Sequence, residues 1–199
     1  AKTLRSDGYF VFESPYLKDT IEKYLFDMIY HEHASYFSVR SADFLFRKHG
    51  LYITNVERNN YHGGCIRVYA CKNKSLYNRK LVDAYIKDEY AGGLFSLDTY
   101  KTFMAKITKD KFDTLSLIYA LKKQNKKIAA IGAATKGNTL INYYKLDRNT
   151  LEFVTDSSKY KIGKYTPGSC LPIVHDDRLA SEKIDVGLIV SWNIGKYLA

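Results

Sequence analysis

The apolar positions of this 199-residue chain fall into three stretches of different period. Residues 7–17, DGYFVFESPYL, predict a turn and then a buried strand rich in aromatics, stopped by a proline. In residues 18–28 the apolar side chains Ile21, Leu25 and Met28 recur four and three positions apart, which predicts a helix. Residues 41–49 repeat that signal with Phe44, Leu45 and Lys48, and Gly50 follows as a C-terminal stop. Residues 51–57 and 66–71 then read as strands. The polar stretch between them carries Gly63-Gly64, so the pair predicts an antiparallel hairpin with a wide loop.

Residues 75–125 are mainly helical in pattern. Leu81, Ala84 and Tyr85 share one face, and Phe103, Ile107, Leu115, Ile118, Tyr119 and Leu121 form a second stripe after the break at Gly92-Gly93. From residue 127 the pattern alternates: strand at 128–131, small-residue loop at 132–137, helix at 138–144, strand at 151–155 ending at Asp156, and a last strand at 184–192. Short apolar strands alternating with helices predict a parallel sheet covered on both faces. The expected class is therefore α/β, divided at 1–75, 76–126 (a helical bridge) and 127–199.

Composition adds bounds. Apolar residues make up 46% and charged residues 26%, ordinary values for a globular protein. No apolar run approaches the roughly 20 residues of a membrane span, and the start, Ala1-Lys2-Thr3-Leu4-Arg5, lacks the apolar core of a signal peptide. Three cysteines, Cys65, Cys71 and Cys170, have no metal-ligand spacing and suit reduced thiols in a cytoplasmic protein. The net charge of +10 suits an anionic partner. Its densest run, Lys122-Lys123-Gln124-Asn125-Lys126-Lys127, falls at a predicted helix end, where cations face the macrodipole favourably. A nucleic-acid surface would interleave clustered cations with exposed aromatics. The 18 tyrosines here fall mostly in helical or strand patterns instead, so nucleic acid is the disfavoured partner.

Four constellations could carry chemistry. Tyr30-His31-Glu32-His33 gathers two imidazoles, a carboxylate and a phenol between two predicted helices. Proton removal beside a carbonyl needs a base, an orienting group and a donor to the enolate oxygen, and those residue types supply all three. Metal binding is the weaker reading, because adjacent residues rarely converge on one ion and this is not the helical HExxH spacing. A capped helix start with exposed polar side chains is the bland one. The second constellation, Gly132 to Thr139 (GAATKGNT), is a small-residue loop opening a helix, suited to a phosphate group. It matches neither a P-loop nor GxGxxG, and simple close packing of strand and helix explains it equally. Gly163-Lys164-Tyr165-Thr166-Pro167-Gly168 is a rigid loop with a cation and a phenol, and Tyr61-His62-Gly63-Gly64 permits close backbone approach; either is also an ordinary turn.

Taken together, ESPYL, FDMIYHEHASYFS, HGGCIRVY, GAATKGNTLINYY, VTDSSKYKIGKYTPG and VSWN, in that order, resemble the sugar C-methyltransferases over nearly all of residues 7–193. The resemblance implies S-adenosylmethionine as methyl donor and a nucleotide-diphosphate-linked 4-keto-deoxysugar as substrate, methylated through an enolate. By the family's Tyr-x-Glu-His motif it implies His33 as base, Glu32 as its orienting partner and Tyr30 as donor to the enolate, with His31 at the variable position. His62, Lys136, Gly137, Asn138, Thr139, Lys164, Tyr165 and Trp192 become expected substrate contacts.

The strand order fits the later part of a class I methyltransferase sheet ending in a hairpin, then a Rossmann-like domain. The family's cysteine-rich zinc motif is not in this sequence, and neither is its glycine-rich cofactor loop. The chain thus reads as the C-terminal part of a longer enzyme, with most S-adenosylmethionine contacts and any zinc outside it. The alternative is a non-catalytic module that binds nucleotide sugar or a protein partner.

Overall fold

Residues of strand period and residues of helix period sort into two units, each built on its own sheet. The structure, a computed structural model, describes residues 1–192 and Gly195. One unit comprises Ala1–Phe26 and His33–Ala105; the other comprises Asp27–Glu32 and the chain from Lys106 onward. The class is mixed α/β.

In the first unit, strands β1 (Tyr9–Pro15), β2 (Tyr52–Asn59) and β3 (Cys65–Cys71) form an antiparallel sheet in the order β1-β3-β2. Tyr52 opposes Cys71 and Asn59 opposes Cys65, with one irregularity between Ile53 and Asn55, which is the predicted hairpin. Its loop closes through Gly64, where an added Cβ would lie 2.3 Å from the Asp19 carboxyl carbon. Helices α1 (Leu17–Glu22), α2 (Val39–Lys48) and α3 (Arg79–Ala91) belong to this unit. The core gathers Tyr16, Val39, Phe46, Ile53, Ile66, Val68 and Val82.

Two expectations are corrected. β1 is not buried: Tyr9, Phe10 and Val11, at the start of this edge strand, are exposed by 53%, 40% and 50%. The buried face of α2 is Val39, Ala42, Asp43 and Phe46, the i, i+3, i+4, i+7 stripe, and Phe44 and Leu45 lie on the outer side. The stripe begins at the Ser38 N-cap, which forms a reciprocal capping box with Ser41, so the helix starts earlier than its apolar pattern suggested.

Helix α4 (Leu97–Lys123) begins in the first unit and ends in the second, and Gly92-Gly93 separates it from α3 as expected. In the second unit, β4 (Ile128–Ile131), β5 (Val154–Thr155), β6 (Ile173–Val174) and β7 (Val186–Ile189) form a parallel sheet in the order β6-β5-β4-β7. β6 and the short helix α6 (Arg178–Ser181) are too brief to announce themselves in the pattern of apolar positions. Helix α5 (Thr135–Tyr144) starts three residues before its expected boundary, so Gly137 is helical. An added Cβ there would come within 2.7 Å of Val190, and the small residue lets α5 approach the chain beyond β7. Among the described residues no helix is long and apolar enough to cross a membrane.

Candidate active site at the strand ends of the second unit

Parallel strands present all their carboxyl ends on one side, and ligands of open α/β sheets bind in the crevice there. The chain leaves β4 at Ile131 and turns at Gly132, with φ of 91°. The Gly132 N–H donates to the Thr155 carbonyl at 2.9 Å, and the Ala133 N–H donates to an Asp156 carboxylate oxygen at 3.1 Å. Asp156 also accepts from the Ser158 N–H at 2.8 Å and from Lys161 Nζ at 2.9 Å. Burial alone would raise the Asp156 carboxyl; Lys161 and the two amides outweigh it and hold it below the usual range. This carboxylate ties the loop after β4 to the loop after β5. With those bonds already made, it is a tether rather than a reader of ligand hydroxyls.

The two loops enclose a cavity of about 420 Å³, within the range of small-molecule sites. Residues 132–135 and Asn138 line one side, Lys161, Thr166 and Pro167 another, and His31 and Glu32 a third. Thr166 is buried and accepts the Leu171 N–H at 2.9 Å, and Asn142 donates to the Pro167 carbonyl at 3.0 Å, so that wall is braced. The α5 N-cap, Ala134, supplies no side-chain acceptor to the first helical amides. A helix start without a capping side chain, with an ammonium across the cavity, is compatible with an anion. Asn138 Oδ1 is buried without a hydrogen-bond partner.

The segment Asp27–Glu32 packs as part of this unit, whereas His33 belongs to the first. His31 Nε2 and Glu32 Oε1 are 4.0 Å apart and both side chains are well exposed. Tyr30 is half-buried; burial, then the Glu32 and Asp27 charges, raise its phenol above the ordinary value. His33 is half-buried, edge-on to Tyr36 at 6.3 Å. Glu32 thus lines the cavity with His31, the residue assigned no role by the motif.

Of the expected substrate contacts, Asn138 lines the cavity. Lys136 lies one residue past its wall and is half-buried, and burial lowers its ammonium against the opposing pull of Asp27. Gly137 serves packing, and Thr139 Oγ1 donates to the Thr135 carbonyl at 3.2 Å. Lys164 and Tyr165 are exposed and outside the cavity wall. Their backbone pairs with residues 171–173, and alternation along that extended stretch buries Thr166 and leaves Tyr165 out, beneath the Arg148 guanidinium at 5.6 Å. Trp192 is 43% exposed and does not line the cavity, and His62 is an exposed residue of the first unit, in a turn at φ of 49°. Thr166, from the loop 163–168 singled out in the sequence, lines the cavity, and Lys161, which the sequence pattern did not single out, lines it too; the Asp156-to-Lys161 spacing beyond a strand end was the available signal. Among the described residues no three His, Cys, Asp or Glu side chains gather as metal ligands.

Comparison with known proteins gives two matches. Residues 60–199 match the model of the C-methyltransferase C-terminal domain family. Over 191 residues the chain is 33% identical to C-methyltransferase NovU of Streptomyces niveus, covering 96% of this chain and 46% of the relative. The chain therefore spans about half the length of that relative.

Proposed function

This chain belongs to the C-methyltransferase family through the C-terminal domain, and we propose that it forms the substrate-handling part of an enzyme methylating a nucleotide-linked 4-keto-deoxysugar through an enolate. The observation that carries the reading is that Glu32, from the Tyr-x-Glu-His stretch, lines the same cavity as the small-residue loop opening α5. An acid–base element and an anion-compatible element share one space. The antiparallel hairpin beside β1 and the parallel second sheet are compatible with the class I and Rossmann-like expectations.

S-adenosylmethionine is the donor the family implies. The residues present do not make a cradle for it: in the first unit β1 passes to α1 through Tyr16 alone, with no glycine-rich strand-to-helix loop among the described residues. The chemistry assigned to this chain is therefore enolate formation. His33 takes the proton from the carbon beside the sugar ketone, the C–H electron pair moves into the ring, and charge gathers on the ketone oxygen. Glu32 orients the imidazole and stabilises it once protonated. Tyr30, whose raised pKa keeps it a phenol at neutral pH, donates to that oxygen. Lys161 and the first amides of α5 hold the diphosphate.

The test is His33→Asn in the full-length enzyme. Loss of a general base lowers kcat by roughly 10²- to 10⁴-fold; unchanged methyl transfer sinks the assignment. The second reading is a module that binds sugar nucleotide without catalysis. Methyl transfer by the full-length protein separates the two, since its absence supports the module, and calorimetry of this chain that gives no heat with a dTDP-sugar refutes the proposed cavity.

A further inference from the structure

Of the five histidines in the chain, His31 lines the cavity. His33, His49 and His62 belong to the first unit, and His175 is engaged elsewhere, with Nδ1 3.0 Å from Asp177 Oδ2. The His31 side chain is 85% exposed, so packing does not commit it to a structural task. It stands on one wall of the cavity, with Lys161 on another and the loop after β4 on a third.

The ionisable groups around this space are few. Glu32 and Lys161 line it together with His31. Glu32 Oε1 lies 4.0 Å from the imidazole Nε2, and the Tyr30 and His31 ring centroids are 6.4 Å apart. Lys161 Nζ donates to Asp156 at 2.9 Å. Asp27, on the same segment as His31, and Lys136, on α5, stand outside the lining. With the imidazole neutral, the lining sets one ammonium against one carboxylate, and that ammonium is already shared with Asp156. A diphosphate adds negative charge that this balance does not meet. Imidazole is the side chain whose charge ordinarily changes between pH 5 and 8, so it can supply the missing cation on demand.

We infer that His31 is a proton-linked ligand of the diphosphate: its ring takes up a proton from solvent as the nucleotide sugar enters, and the imidazolium N–H donates to a phosphate oxygen from a different wall than Lys161. This gives the variable position of the Tyr-x-Glu-His stretch a task in binding, apart from the proton abstraction assigned to His33. The placement of the ring rests on the cavity; the identity of the anion rests on the proposed function. An anion beside an imidazolium favours its charged form. Binding is therefore strongest where the ring is already protonated, and weakens as pH rises through its titration.

The probe is dTDP-glucose, a diphosphate diester that does not itself titrate near neutrality, bound to this chain in a calorimeter. Near neutral pH, heats in two buffers of different ionisation enthalpy should report net proton uptake, and affinity should fall about fivefold from pH 6 to pH 8. His31→Asn should abolish the uptake and bind across that range about as weakly as the wild type does at its alkaline end. His31→Lys, a fixed cation, should bind across the range about as well as the wild type does at its acid end, which a merely structural role would not produce. Buffer-independent heat, uptake that survives His31→Asn, or a His31→Lys variant as weak as His31→Asn overturns the inference, and so does the absence of binding at the acid end. The functional reading fails separately: pH-linked binding without methyl transfer by the full-length protein removes that reading and leaves His31 its role, whereas methyl transfer with no proton uptake on binding does the reverse.

Discussion

The two units treat buried charge in opposite ways. In the first, each buried carboxylate is met. Asp19 receives both Arg58 nitrogens at 2.8 and 2.9 Å and Lys23 at 2.7 Å. Glu89, fully buried, receives the Val39 N–H at 2.5 Å, the Arg40 N–H at 3.2 Å and the Tyr16 hydroxyl at 3.0 Å. Asp43 receives Arg47 at 2.8 Å and Tyr77 at 3.0 Å. In the second unit the buried oxygens of Asp27, Asn138, Thr155 and Ser191 have no hydrogen-bond partner. Satisfied polar networks fix one packing, whereas unsatisfied buried groups mark strain or a working site. The first unit's buried carboxylates thus fix its packing, and the unsatisfied groups lie in the unit that holds the cavity.

The largest expected effect tests the scaffold. Glu89→Ala leaves the Tyr16 hydroxyl and the first amides of α2 without their acceptor and opens a void, which should cost about 3–5 kcal/mol in urea unfolding. A cost below about 1 kcal/mol would break the comparison, because the network would then be incidental.

The second effect is smaller and lies in the other unit. Asp27→Asn relieves the burial that raises this carboxyl but takes an opposing charge from the half-buried Lys136, so the two terms offset and urea-unfolding stability should move by less than about 1 kcal/mol. A loss as large as that from Glu89→Ala would mean that Asp27 is a scaffold residue too. The two carboxylates should also diverge with pH. Burial alone would raise Asp19, but Arg58 and Lys23 outweigh it and leave it below its ordinary value of 3.8. Its contribution is thus full above that value and is lost as pH falls through the folded pKa. Burial raises Asp27 despite Lys136, so its contribution is full below 3.8 and is lost as pH rises through the folded value. Peptide-level hydrogen exchange, corrected for intrinsic rates, should show mild acid loosening β3 before it loosens β4.

The sequence exposed whatever repeats and hid whatever only tertiary contact decides. The hairpin of β2 and β3 and the long α4 each carry enough residues to reveal a period, and β4 shows instead as the unbroken apolar run Ile128-Ala129-Ala130-Ile131. Residues 9–12 of β1, Tyr-Phe-Val-Phe, are apolar on both faces, a pattern shared by buried strands and by an edge with aromatics on its surface. On α2 the burial of Asp43 depends on Arg47 and Tyr77, and Tyr77 is 34 positions away. At the site, the Tyr-x-Glu-His stretch and Asn138 were legible as residue types in a motif. Asp156 was legible only as a strand end and Lys161 only by its spacing from it, because what makes the pair matter is the meeting of the loops after β4 and β5. Nothing in the sequence around Asp27 announces that it is buried.

The last expected effect, on binding rather than stability, separates the missed cation from the expected one. Lys161 lines the cavity and pairs with Asp156, whereas Lys164 is exposed beside it. Lys161→Met should weaken binding of a dTDP-sugar by about tenfold, roughly 1.4 kcal/mol, and Lys164→Ala should leave it within about twofold. The loss could arise in two ways, through the missing ammonium or through a slackened Asp156 tether, and salt dependence tells them apart. A direct phosphate contact weakens with ionic strength, so wild-type affinity should fall with salt and the Lys161→Met variant should respond less. A tether acts through geometry: Asp156→Asn, which keeps an acceptor for the Ala133 and Ser158 amides, should retain the salt response. Equal losses from Lys161→Met and Lys164→Ala would mean that diffuse positive charge attracts the ligand, and the contrast between a scaffold and a dedicated site would lose its local meaning.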